Sequence, residues 1–108
     1  MQDVANKILG IIAPGLVAER GSSILWSTAE ADGLTGARAE FCVDEDGGVV
    51  LDVVDWTDQG GEVIFSLSVD SEGKILELVG VPMESDSPMV ESLSKFHQII
   101  ATMKLVEG

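Results

Sequence analysis

The chain has 108 residues, 45% of them hydrophobic and 23% charged, with 19 acidic side chains against 6 basic ones and a formal net charge of −13. Its length suits one domain, since domains commonly run ~100–150 residues, so a single acidic α+β domain over 1–108 is expected. The charge excludes phosphate backbones and anionic lipid, which both require clustered Lys and Arg. A mean hydropathy of +0.29 excludes a disordered polyelectrolyte.

Between Lys7 and Glu19 the chain carries no charge. That run is far short of the ~20 apolar residues of a membrane span. It also reads poorly as a leader: Asp3 stands where positive charge belongs, and Pro14-Gly15 interrupts the apolar stretch. Val4, Ile8, Ile11 and Ile12 recur at helical steps, so an amphipathic helix ending at Pro14 is expected, with Ile11 on its apolar face.

From there the period changes to two. Residues 23–30 (SILWSTAE) read as a strand, followed by a turn at 31–36 (ADGLTG). Ala39, Phe41 and Val43 form one strand face opposite Arg38, Glu40 and Asp44. Residues 49–56 (VVLDVVDW) are apolar on both faces apart from Asp52 and Asp55, the pattern of a central strand. Val63, Phe65, Leu67 and Val69 make one face of the next strand, and 74–81 (KILELVGV) read as the last. The connections at 44–48 (DEDGG), 58–61 (DQGG) and 70–74 (DSEGK) have hairpin chemistry, Asp to start the turn and Gly for positive φ. Turns this short join only antiparallel neighbours.

Ser87 then offers an N-cap, with Pro88 in the first helical position. Val90, Leu93, Phe96 or His97, Ile100 and Met103 continue at three- and four-residue steps, with Lys104 in the final turn. The expected fold is α+β: an N-terminal helix, a five-stranded antiparallel meander sheet and a C-terminal helix, with the helices packed on one face.

Catalytic chemistry finds no foothold. Asp44-Glu45-Asp46-Gly47 resembles the start of a calcium loop, but the glycine comes too early and a strand occupies the position of the closing ligand. His97 stands alone on a helix, and Cys42 has acidic neighbours that disfavour a thiolate. The serines lack a nucleophile elbow and the glycines lack phosphate-binding patterns. Hence no enzyme, no catalytic residues, no metal and no cofactor are expected. A lone cysteine also suits a reducing compartment, so the expected location is cytoplasmic.

What remains is the placement of charge. From Ala39 through Gly73 there is no Lys or Arg, yet the stretch holds Glu40, Asp44, Glu45, Asp46, Asp52, Asp55, Asp58, Glu62, Asp70 and Glu72. These acids either keep the sheet from aggregating or recognise a basic protein. Asp44, Glu45, Asp46, Asp52, Asp55, Asp58 and Glu62, with Trp56 as an aromatic anchor, are the candidate partner-binding residues. The leading reading is a non-catalytic protein-binding domain for a basic partner, of the kind that neutralises a cationic toxin. A dimeric secretion-chaperone-like protein with an apolar groove is one alternative. A small-ligand binder or weak enzyme with a pocket between sheet and helix is the other.

Overall fold

A computed structural model describes residues 3–28, 36–57, 60–81 and 86–106. In chain order it contains α1 (Val4–Ile12), β1 (Ser23–Ser27), β2 (Gly36–Val43), β3 (Val49–Thr57), β4 (Gly60–Val69), β5 (Ile75–Val79), α2 (Pro88–Ile100) and β6 (Lys104–Leu105). The strands form one antiparallel sheet of order β5-β4-β3-β2-β1-β6. The expected meander is therefore present, with β3 interior, and the expected count of five strands is corrected to six.

The extra strand comes from the residues after α2. The helix ends at Ile100 rather than continuing through Met103, and Lys104 and Leu105 pair with Ser27 and Trp26. A two-residue strand has no periodicity to read, so Lys104 looks helical in the sequence and is not. At the other end of α2, Ser87 occupies the N-cap position without a side-chain capping bond. Its carbonyl accepts from Glu91 N instead. The turn expected at 31–36 lies outside the described residues, apart from Gly36, which opens β2.

The expected hairpins at 44–48 and 70–74 form, and the turn expected at 58–61 lies partly outside the described residues. Asp44 N–H donates to the Gly48 carbonyl, and Asp70 N–H to the Lys74 carbonyl. Gly47 and Gly73 take the positive φ, 97° and 88°, that each loop requires. The Asp46 carboxylate accepts from Gly48 N, and that of Asp70 from Glu72 N and Lys74 N. The latter bonds hold the Asp70 carboxyl below its ordinary pKa, Lys74 N contributing most.

One parity of each strand faces the helices. Trp26, Phe41, Leu51, Val53, Phe65 and Leu67 pack with Leu9, Ile12, Leu93 and Phe96 in one apolar cluster. Phe96 stands at its centre, edge-on to Trp26 with ring centroids 5.9 Å apart and tilted against Phe65 at 5.6 Å. Both helices thus lie on the same face. The His97 Nδ1–H joins them by donating to the Ile12 carbonyl at 2.8 Å.

Three expected apolar faces are corrected. In α2 the buried residues are Ser92, Leu93, Phe96 and Ile100, and Val90, one helical step ahead of Leu93, is exposed. The buried stripe of α1 is Ala5, Ile8, Leu9 and Ile12, and Ile11 is exposed. At 100° per residue, Ile11 points roughly 100° from the middle of that stripe. In β4, Phe65 is fully buried, but Val63 is exposed. Val53 pairs with Phe65 and Val54 with Val63, leaving Ile64 as an extra residue in a β-bulge. One extra residue turns everything before it to the opposite face, so Val63 lies with Val54 on the side away from the helices.

Candidate functional site

No described element covers that second face, and pairing register arranges it in rows. Leu25, Glu40, Asp52, Ser66 and Val79 are successive cross-strand partners. The next row toward the β3–β4 connection is Ser27, Arg38, Val54 and Val63, and beyond it Gly36, Trp56 and Gly61 are partners in turn. Leu25, Arg38, Glu40, Asp52, Val54 and Trp56 line a hollow of about 290 Å³.

Trp56 is 40% exposed, in contrast to Trp26 in the core at 5%. Its ring lies over Gly61, where an added Cβ would stand 2.9 Å from the Trp56 Cε3. A glycine opposite an aromatic on a paired strand lets the ring lie flat over the backbone, which holds the indole on the surface.

The two carboxylates of the hollow are each held by a neutral donor. Ser66 Oγ donates to Asp52 Oδ1 at 2.7 Å, and Cys42 Sγ to Glu40 Oε1 at 2.8 Å. Burial, the bond to Glu40 and the charges of Glu40, Asp52 and Asp44 push the Cys42 thiol up to about 12. It is thus a neutral thiol, unsuited to nucleophilic work.

The structure separates the eight residues singled out from the sequence. Asp44, Glu45 and Asp46 lie in the β2–β3 turn, next to the β4–β5 turn: a Cβ at Gly47 would meet both Arg20 and Ser71. Asp52 and Trp56 face the hollow. Asp55 and Glu62 are exposed cross-strand partners on the opposite parity, near the other end of the sheet. Asp58 lies outside the described residues. The turn acids and Trp56 are separated along β3 by roughly 23 Å, at ~3.3 Å per residue. Asp46 also serves its own turn by accepting from Gly48 N. Glu40, Arg38 and Leu25, which complete the hollow, were not singled out for partner binding. Alternation places Glu40 and Asp52 on outward faces, but only the β2–β3 register puts them opposite each other.

A second hollow, of about 420 Å³, lies at the β1–β6 side and is lined by Leu16, Val17, Ser23, Ile24, Leu25, Leu105 and Val106. Between sheet and helices, Val49, Leu51, Val53, Phe65 and Leu67 are fully buried and packed. Among the described residues no group of three or more His, Cys, Asp and Glu is assembled for a metal ion. No described helix is long and apolar enough to cross a membrane.

Comparison with known proteins returns no match to any family model, to any curated protein or to any solved structure.

Proposed function

We propose that this chain is a non-catalytic, cytoplasmic protein-binding domain that recognises a basic protein through the acidic, uncovered face of its sheet, in the manner of an immunity or antitoxin-type inhibitor. The observation that carries this reading is the exposed Trp56, which lines the same hollow as Glu40 and Asp52 on a sheet face that no described element covers. Tryptophan anchors are typical of interface centres, and the net charge of −13 draws a cationic partner in by long-range attraction. A cationic nuclease toxin fits, because its own cleft must be positive to hold phosphate. The test is capture of binding proteins with the chain as bait, then association and dissociation rates for the captured protein at low and moderate salt. The expected partner is basic, and its association rate falls steeply with salt. An affinity independent of salt overturns the reading.

The apolar hollow beside β6 favours a second reading, a dimeric secretion-chaperone-like protein that uses an apolar groove. Val17, 78% exposed, and Leu105, 46% exposed, stand at its rim. Sedimentation decides this one: a two-chain particle that Val17→Asp dissociates supports it, and a monomer rejects it.

A further inference from the structure

Resting on the proposal of a basic protein partner, we infer that the hollow between Glu40, Asp52 and Trp56 is a receptor for a single guanidinium group, an arginine side chain presented by that partner.

Glu40 and Asp52 are direct cross-strand partners on the exposed face. Like charges directly opposite each other on a sheet destabilise it. Neutral donors fix both carboxylates, Cys42 for Glu40 and Ser66 for Asp52. Each donor orients an oxygen without cancelling its charge, and a carboxylate with one bond filled keeps further acceptor positions. The pair is therefore pre-set, with acceptor positions left over for a cation.

Shape narrows the choice of cation. The hollow has an indole wall as well as two acids, with Leu25 and Val54 as apolar flanks. A guanidinium is planar, presents its donors as a fork matched to carboxylates, and stacks on aromatic rings. An ammonium or a hydrated metal ion is attracted to the indole face too, but neither offers a flat face to stack nor a fixed fork of donors. Arg38, in the row between the carboxylate pair and Trp56, brings the chain's own guanidinium to the rim. It competes with an incoming arginine for the same acids, so removing it opens the site.

The experiment follows Trp56 fluorescence, and amide chemical shifts of β2 and β3, in the full chain during titration with N-acetylarginine amide. N-acetylcitrulline amide, its neutral isostere, is the control. The expected result is a saturable change with the arginine probe, about tenfold weaker with the citrulline probe and after Glu40→Gln or Asp52→Asn, the loss of one charge-assisted contact. Arg38→Gln tightens binding severalfold, which no general loss of folding produces. Equal responses to the two probes, or an Arg38→Gln variant that binds no more tightly, overturn the inference. A basic protein that binds in a salt-dependent way with no response to the arginine probe would leave the proposed function standing and reject only this site. Saturable probe binding with no basic protein captured would do the reverse.

Discussion

The Cys42 thiol and the Glu40 carboxylate have opposite electrostatic needs, and each shapes the other. The thiol donates to Glu40 while burial first, then that bond and the nearby acids, keep it from ionising, with its pKa at about 12 against 9.0 for the free group. Folding therefore gains stability that is present below pH 9, where the unfolded thiol still holds its proton, and that is lost as pH rises through the folded value. In the folded protein, alkylation of Cys42 by iodoacetamide at about pH 8 is expected to be at least tenfold slower than in denaturant, because the thiolate is the reactive form. An equal rate in both states would contradict the neutral thiol. Glu40 carries the cost on the other side. Relieving its repulsion with Asp52 by Glu40→Gln is expected to stabilise the free protein by about 0.2–1 kcal/mol, a rise in Tm of a few degrees that shrinks with added salt. Asp70 has the reverse sign. Its carboxyl is held low by backbone N–H groups, so its contribution is present above the ordinary carboxylate range and is lost as pH falls through the folded value. The Tm gap between the native chain and Asp70→Asn should accordingly narrow on acidification.

At the scale of elements, the turns and the central strands were legible because their signals are local. Asp at the start of a loop and Gly at positive φ specify a hairpin without reference to anything distant, and the 44–48 and 70–74 loops close as their residues require. The β4 bulge was not legible. Val63 continues the alternation of Phe65 and Leu67 on paper, and only pairing with β3 shows that Ile64 is an extra residue. Gly80 belongs to the same irregularity. Its φ is 92°, and a Cβ there would run into the Ile64 carbonyl oxygen and the backbone of Phe65. Gly80→Ala is expected to cost roughly 1–3 kcal/mol, the range of a strained backbone position. Chemical denaturation reads it, and a variant as stable as the native chain would refute the close approach. The neighbouring Lys95 side chain, which donates to the Gly80 carbonyl, ties α2 to this point.

For the whole molecule, the helices cover one face of a six-stranded sheet and leave the other open. The covered side depends on Phe96, fully buried between Trp26 and Phe65. Phe96→Ala is expected to cost about 3–5 kcal/mol by lost burial and the cavity left behind, read as a large fall in Tm. A small effect would mean that the helix layer is not held at this ring. The open side carries a different burden. A chain of 108 residues with net charge −13 repels itself when compact. Its Tm is therefore expected to rise from low to moderate salt, whereas attraction to a basic partner weakens over the same range. These opposite salt slopes separate general charge repulsion from recognition.

The sequence by itself determined the class of fold, the meander, the apolar side of the central strands and the sign of the charge. All of these follow from periods of two or about four residues, from turn chemistry and from composition. Tertiary structure alone decided which residues share a surface. It added β6, placed Val63 and Ile11 in solvent, and spread the candidate acids along the sheet instead of gathering them. It also set Glu40 against Asp52, with Trp56 on the same face. Neighbours across a sheet are fixed by register, a relation between residues far apart in the chain, and one bulge or one short pairing resets it.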